Sequence, residues 1–120
     1  MSAALALIAA AQAVLAPVEG ATRIIDGDTL AIEGLEPSIR LFGIDAPEKG
    51  EPGGAEATAF LKGLVHGAEI RCQPTGVDPH RRLVARCERG GMDLGRALIE
   101  AGYAVEWCRD SAGFYGTCTD

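Results

Sequence analysis

Four of the six carboxylates in residues 23–48, together with Arg40, have a spacing that could form one site. Asp26 and Asp28 flank a glycine between two apolar runs, while Asp45 and Glu48 follow the next run, which contains Arg40. Acids at the ends of two strands can meet in space, and hard cations such as Ca²⁺ prefer their oxygens. An arginine beside such a cation can hold a phosphate. This spacing predicts most of a metal-assisted site that cleaves a phosphodiester, although a single acid near a turn is usually only a turn former.

A second group of charges lies farther along the chain. Five of the eleven Lys and Arg residues fall within residues 71–89, and among them Arg82 stands four residues after Asp78, just before an apolar run. Two arginines facing a metal could clamp phosphodiester oxygens and neutralise the charge that grows in the transition state. The same charges could instead solvate an exposed hairpin. Glu48 also has two interpretations: a general base that activates water, or a solvated loop acid.

These charges need a scaffold of short strands. Extended apolar runs predict five of them, at residues 21–25, 29–32, 38–44, 68–73 and 83–88. One helix is predicted at residues 55–65, after the third strand, and a second helix follows the capping residue Asp93. Residues 103–106 can add a last short strand. This order predicts an α+β fold that is mainly β: a five-stranded OB-fold barrel with two helices and a disulfide-linked tail.

The composition fits one packed domain that is not basic. Of the 120 residues, 48% are hydrophobic and 5% are aromatic, so the core must consist mainly of aliphatic side chains. The net charge of −6 argues against a protein that binds nucleic acid by overall attraction. It leaves room for an enzyme in which a metal ion and a few arginines create a local positive site. We expect a monomer.

The N-terminus resembles a secretory leader. Residues 1–18 contain no charged side chain, and the apolar run is short for a membrane-spanning helix. Residues 11–13 form an A-x-A cleavage site, and cleavage after Ala16 also fits the preference for small residues. We predict a signal peptide at residues 1–16 and a mature domain at residues 17–120, with no membrane attachment in the mature form. The alternative is an amphipathic or buried N-terminal helix.

Four cysteines support export. An even number in a small exported chain suggests disulfides, and three pairings are possible. The simplest pairing joins Cys72 to Cys87 and Cys108 to Cys118. A hairpin centred near residues 79–80 would place Cys72 opposite Cys87, which favours the first bridge. Zinc is the minor alternative, because the sequence contains no CxxC pair.

Three motifs in this order resemble the staphylococcal nuclease (thermonuclease) family. They are IDGDT at residues 25–29, RL at 40–41 followed by IDAPE at 44–48, and Asp78 with Arg82 four residues later. The resemblance covers residues 22–104. It implies an OB-fold barrel, export from the cell, and a Ca²⁺-dependent endonuclease that acts on DNA and RNA.

The resemblance also implies roles for individual residues. Asp28, Asp45 and the backbone carbonyl of Ala46 correspond to calcium ligands. Asp26 corresponds to an acid that lies next to these ligands and does not bind the cation directly.

The remaining roles concern the phosphate. Arg40 and Arg82 correspond to catalytic arginines that bind it, and Glu48 corresponds to the general base. His80 is included with the two arginines as a substrate-binding residue. The implied reaction cleaves the 5′ P–O bond and leaves a 3′-phosphate.

The chain departs from the family pattern in three places. Ala46 replaces a typical threonine, and His80 and Arg81 replace the Tyr-Gly pair that usually precedes the second arginine. The tail lacks the family's long C-terminal helix and its tyrosines. It carries three other aromatic residues, which either stack on bases or, as we predict, pack over the end of the barrel: Trp107, Phe114 and Tyr115.

We therefore expect a periplasmic or secreted Ca²⁺-dependent endonuclease with low sequence specificity. The alternative is a catalytically weak or inactive OB-fold module that only binds nucleic acid.

Overall fold

The computed structural model describes residues 16–119. The predicted leader lies outside the described residues except for Ala16, and it stays a prediction. The strands are β1 Val18–Gly20, β2 Thr22–Asp26, β3 Thr29–Ile32, β4 Ile39–Leu41, β5 Ile44–Asp45, β6 Ile70–Val77, β7 Leu83–Arg89, β8 Met92–Asp93 and β9 Val105–Glu106. The helices are α1 Gly54–Val65, α2 Leu94–Glu100 and α3 Cys108–Ser111. None of these helices is long and apolar enough to cross a membrane.

Seven strands form one curled sheet in the order β1-β6-β7-β4-β3-β2, with β8 added to β7. β1 and β2 are the first and last strands in this order, and only Ala21 separates them in the sequence. β4 and β7 pair in parallel, with Ile39 opposite Leu83, and the other strand pairs are antiparallel. β5 and β9 form a separate two-stranded sheet. The predicted mainly-β, OB-type α+β fold is confirmed.

The core lies between the curled sheet and the helices. Helix α1 buries Ala57, Leu61 and Val65, which are spaced four residues apart and therefore lie on one face. Asp93 caps α2 as predicted, because its carboxylate accepts a hydrogen bond of 2.9 Å from the backbone N–H of Arg96. The largest fully buried side chains are almost all aliphatic, as the composition predicts: Leu30, Ile39, Leu41, Ile44, Leu61, Ile70, Leu94 and Leu98.

One predicted strand is divided in two. The sequence predicts a single strand over residues 38–44, but β4 ends at Leu41 and β5 begins at Ile44. Gly43 lies between them with φ of 70°, a left-handed conformation that glycine adopts without steric cost. A Cβ on Gly43 would also lie 2.8 Å from the Cβ of Ser111 in α3. This break allows Asp45 to pair with Val105 of β9.

Other elements also differ from the prediction, which did not include β1 or β8. β6 continues past Pro74 to Val77, and a register shift between Pro74 and Gly76 accommodates the proline, which has no N–H to donate. The sequence predicts an irregular tail, but residues 108–111 form the short helix α3.

Both predicted disulfides are present. Cys72 lies opposite Cys87 in the β6–β7 register, and the two sulfurs are 2.08 Å apart. Cys108 and Cys118 form the second bridge, with a sulfur–sulfur distance of 2.00 Å. No cysteine among residues 16–119 is free, so the zinc alternative is wrong.

Candidate functional site

The acidic turn joins β2 to β3 and is packed against helix α1. The backbone of Gly27 lies outside the left-handed region, so a positive φ is not what this position requires. Its role is close approach: a Cβ on Gly27 would lie 2.7 Å from the Cβ of Ala57 and 3.0 Å from that of Ala46. The backbone N–H of Asp28 donates to Asp26 Oδ1 at 3.2 Å. The glycine therefore lets the helix and the segment around Ala46 close around the two acids.

Asp28 is the buried acid of the site. Its residue surface is 6% exposed, and its Oδ2 accepts a hydrogen bond of 2.9 Å from the backbone N–H of Ala46. Its Oδ1 accepts one of 3.1 Å from the Thr29 hydroxyl. Desolvation raises the pKa of Asp28 to about 6, although the Ala46 N–H and the Arg40 guanidinium oppose this shift and nearby Asp26 adds to it. The carboxylate is thus held in place while its negative charge is incompletely compensated.

Arg40 contacts the two candidate cation ligands at once. Its Nη1 lies 3.3 Å from Asp28 Oδ2, and its Nη2 lies 3.7 Å from Asp45 Oδ1. Nη1 also donates to the backbone carbonyl of Leu41 at 3.2 Å. An arginine on a strand can either cover the barrel with its aliphatic stem or point at an anion. The structure places its guanidinium among the carboxylates.

This arrangement can accept a hard cation. Asp28 and Asp45 converge on one guanidinium, and the residue that supplies the third predicted oxygen, Ala46, is bonded through its N–H to Asp28. Asp26, Asp28 and Asp45 together outnumber the single positive charge of Arg40, so the cluster has a deficit of positive charge. The Asp45 side chain is 46% exposed, whereas that of Asp28 is 9% exposed. One carboxylate is therefore fixed and the other is accessible from solvent, which suits the flexible oxygen coordination of Ca²⁺.

Arg82 is held by the turn between β6 and β7. Asp78 Oδ2 accepts a hydrogen bond of 2.7 Å from Arg82 Nε, and Asp78 Oδ1 accepts bonds from the backbone N–H groups of His80 and Arg82 at 2.9 and 3.0 Å. These bonds keep the pKa of Asp78 below its ordinary value despite desolvation, which acts in the opposite direction. Arg81 has φ of 65°, so it adopts the left-handed conformation that its glycine counterpart in the family would favour. The altered sequence still delivers Arg82 to a defined position.

A cleft of about 800 Å³ lies beside the acidic cluster. Arg40 and Arg82 both line it, and so does His80, whose side chain has no polar contact with any residue of the 16–119 segment. The structure therefore brings the two predicted arginines and the histidine to one surface. Sequence reasoning missed Arg109, which also lines the cleft and is exposed without an ion pair to any described residue. No spacing pattern marks this residue, because it reaches the cleft only through the fold of the tail.

The Glu48 carboxylate forms no hydrogen bond or ion pair with the other candidate residues. Its residue surface is exposed, and its carboxylate makes no hydrogen bond or ion pair within the described part of the chain. Its backbone is nevertheless fixed: the N–H donates to Glu51 Oε1 at 2.7 Å, and the carbonyl accepts from the Glu51 N–H at 3.0 Å. A Cβ on Gly54 would overlap the Glu48 carbonyl oxygen, so the start of α1 packs directly on this residue.

The three aromatic residues of the tail have different environments. Tyr115 is 5% exposed and belongs to the buried core, and its hydroxyl donates to Asp93 Oδ1 at 2.9 Å. The Phe114 ring is 5.7 Å from that of Phe42, edge to face, and 4.8 Å from the Arg86 guanidinium carbon. Trp107 is 39% exposed and lines the cleft.

Comparison with known proteins gives one family. The sequence profile described as "Staphylococcal nuclease homologue" matches residues 38–114. "Succinoglycan biosynthesis protein ExoI" of Rhizobium meliloti is 35% identical over 113 residues, which cover 84% of this chain and 58% of that protein. "Probable endonuclease LCL3" of Candida tropicalis is 34% identical over 77 residues, or 56% of this chain and 33% of that protein. "Uncharacterized endonuclease" of Escherichia coli O157:H7 is 32% identical over 85 residues, or 68% of this chain and 56% of that protein. The chain thus spans between 33% and 58% of the length of these relatives.

Proposed function

This chain belongs to the family of staphylococcal nuclease homologues, and we propose that it is a Ca²⁺-dependent endonuclease that hydrolyses phosphodiester bonds of DNA and RNA with low sequence specificity. One observation carries this proposal. A single guanidinium, that of Arg40, contacts the carboxylates of both Asp28 and Asp45 at the wall of a cleft that also receives Arg82. Two relatives bear names that include the word endonuclease, which agrees with the proposal.

The cation would be held by oxygen atoms of three residues. Asp28 and Asp45 supply carboxylates, Ala46 supplies its backbone carbonyl, and Asp26 fixes the backbone of Asp28 through a hydrogen bond. Bound there, Ca²⁺ would polarise a phosphoryl oxygen and help to orient the attacking water. The buried position of Asp28 supports this assignment, because burial disfavours its charge and a divalent cation would favour it.

The two arginines bind and neutralise the phosphate. Arg40 adjoins the cation ligands, while the Nε of Arg82 is occupied by Asp78, which leaves the two terminal nitrogens of Arg82 for a ligand. Guanidinium groups match the geometry of phosphate oxygens, and donors aimed at developing charge typically contribute a factor of about 10²–10³ to the rate. His80 and Arg109 extend the binding surface along the same cleft.

Glu48 is the proposed general base. It would take a proton from the water that attacks phosphorus, and its exposed carboxylate has no hydrogen bond or ion pair within residues 16–119 that would have to be broken first. Attack of the water oxygen on phosphorus would break the bond to the 5′ oxygen, which would take up a proton from solvent, so that the products are a 3′-phosphate and a 5′-hydroxyl.

The disulfides bear on where the enzyme acts. Disulfides persist in oxidising compartments, and both pairs of cysteines are bonded in this chain. We propose that the protein is periplasmic or secreted, with residues 1–16 as its leader and a monomeric mature form. Mass spectrometry of the exported protein would test the leader by locating the mature N-terminus.

A nucleic-acid-binding module without activity is the rival function. The observation that favours it is the exposed Glu48 carboxylate, which forms no hydrogen bond or ion pair with the other candidate residues. Three variants separate the two functions: Glu48→Gln, Arg40→Ala and Arg82→Ala, each assayed for hydrolysis and for binding of a labelled oligonucleotide. We expect all three to lose hydrolysis strongly and to remain folded. A binding module would show no hydrolysis by the wild type while both arginine variants bind more weakly.

A further inference from the structure

Glu106 organises the end of the chain. It is buried on β9, and its Oε2 accepts hydrogen bonds from the Ser111 hydroxyl at 2.5 Å and the Tyr115 N–H at 2.9 Å. Its Oε1 accepts bonds from the Thr117 N–H at 2.8 Å and the Thr117 hydroxyl at 2.7 Å. One carboxylate thus receives four hydrogen bonds from residues 111–117. We call residues 106–118, closed by the Cys108–Cys118 disulfide, the tail clamp.

The tail clamp is attached to the strand that carries Asp45. β5 consists of Ile44 and Asp45 alone, and its strand partner is β9, with Ile44 opposite Glu106 and Asp45 opposite Val105. Glu106, which anchors the clamp, is therefore the direct cross-strand neighbour of Ile44, and Ile44 immediately precedes the candidate cation ligand Asp45. A two-residue strand has little stability of its own, so the position of Asp45 depends on how firmly β9 is held.

Two more contacts join the clamp to the same segment. The backbone N–H of Trp107 donates to the Gly43 carbonyl at 2.7 Å. Gly43 also packs on α3, where an added Cβ would lie 2.8 Å from the Cβ of Ser111. The clamp consequently contacts residues 43–45, while the acidic turn contacts the next residue, Ala46, through the Asp28 carboxylate.

We propose that Glu106 is a positioning residue for Asp45, and that the tail clamp sets the affinity of the site for Ca²⁺. This inference rests on the proposed function, because it assigns Asp45 to the cation. Glu106 touches neither cation nor substrate; it acts through β9 and β5. Groups that hydrogen-bond directly to metal ligands typically change metal affinity by about 10- to 100-fold when they are replaced, and Glu106, which acts through one strand pair, should fall at the low end of this range.

Glu106→Gln is the most specific perturbation. It keeps the shape of the side chain but replaces an acceptor oxygen with an NH₂ group, which would face donors from Ser111 and Tyr115 or from Thr117. If this variant does not fold, Thr117→Val removes only one hydroxyl donor and serves in its place. A Cys108→Ser/Cys118→Ser variant opens the clamp by an independent route. The control is Cys72→Ala/Cys87→Ala, which removes the disulfide in the β6–β7 hairpin. The two cysteines of that bridge are 15 residues apart in sequence, compared with 10 for the bridge of the clamp.

Two measurements on the folded full chain decide the matter: Ca²⁺ affinity by titration calorimetry, and amide hydrogen exchange of residues 43–46. We expect both clamp variants to bind Ca²⁺ at least about tenfold more weakly and to exchange these amides at least about tenfold faster, whereas the control stays within about twofold of wild type. Unchanged affinity and exchange in the clamp variants would overturn the inference, and so would equal effects in the control. If the wild type itself binds no Ca²⁺, the proposed function fails, and the exchange data alone still decide whether the clamp positions Asp45.

Discussion

Replacement of Gly27 by alanine tests how closely helix α1 packs on the acidic turn. The new Cβ would lie 2.7 Å from the Cβ of Ala57 and 3.0 Å from that of Ala46, whereas carbon atoms in contact are normally about 3.5–4.0 Å apart. The neighbours must therefore move by up to about 1 Å. Overpacking of this kind costs about 1–3 kcal/mol, and the lower entropy of alanine in the unfolded chain returns about 0.4–1 kcal/mol. We expect a net loss of about 0–2.6 kcal/mol, with a central value of about 1.3 kcal/mol.

Thermal unfolding measures this loss directly. For a domain of this size, 1 kcal/mol lowers the midpoint by about 4–8 °C. Gly63→Ala is the matched control, because an added Cβ at Gly63, in the same helix, would meet no atom beyond the backbone of that helix within 4 Å. Alanine there should stabilise the helix by about 0.5–1 kcal/mol. Ala57→Gly should partly rescue the Gly27→Ala variant, since it removes the nearer obstacle.

The Gly27 substitution should also affect the cation site. Ala46 must shift, and its N–H is the group that donates to Asp28 Oδ2. We expect weaker Ca²⁺ binding by Gly27→Ala and unchanged binding by Gly63→Ala. If Gly27→Ala is as stable as wild type and gives the same Ca²⁺ affinity, the close packing of helix, turn and Ala46 does not control this site.

Three further predictions concern the turn, the cleft and the tail. Arg81→Gly should leave stability unchanged or raise it by up to about 1 kcal/mol. Glycine removes the strain of the left-handed backbone at φ 65°, but its greater entropy in the unfolded chain offsets part of this gain. A loss of more than about 1 kcal/mol in chemical denaturation would refute this prediction. Arg109→Ala should raise KM for oligonucleotides severalfold with kcat unchanged, as expected for loss of a binding cation, while Arg23→Ala in a different groove should change neither. Desolvation would raise the pKa of Glu106, but hydrogen bonds from Ser111, Thr117 and Tyr115 outweigh it and lower the value from 4.5 to about 2. Because the pKa of Glu106 is lower in the folded than in the unfolded state, its contribution to stability is complete above about pH 4.5 and is lost as the pH falls towards 2. The free energies of unfolding of wild type and Glu106→Gln should therefore converge over that range. A constant difference between the two proteins would contradict the assignment.

Local patterns were sufficient to predict the main features of the fold. The Asp26-Gly27-Asp28 turn, the α1 helix and the cap at Asp93 depend on neighbours within a few residues, so propensity and spacing identify them. The Cys72–Cys87 bridge followed from the hairpin geometry, because the two residues occupy opposite positions in antiparallel strands.

The parts that were missed depend on contacts distant in sequence. The interruption at Gly43 requires the approach of α3, which lies more than sixty residues later, and no local pattern specifies it. In β9, Glu106 is buried and Val105 is 65% exposed, the reverse of what hydrophobicity alone predicts. Burial of this carboxylate is tolerated because residues 111–117 donate four hydrogen bonds to it. Arg109 reaches the cleft through the same tail structure.

Nicking of a supercoiled plasmid is the most direct test of the proposed site. Wild-type protein and the Glu48→Gln variant would be incubated with plasmid in the presence of Ca²⁺ and in excess chelator, after circular dichroism has shown that both are folded. We predict Ca²⁺-dependent nicking by the wild type, none in chelator, and strongly reduced nicking by Glu48→Gln. Equal nicking with and without Ca²⁺, or equal nicking by both proteins, would contradict the assignment of Asp28, Asp45 and Glu48 to a metal-assisted nuclease site.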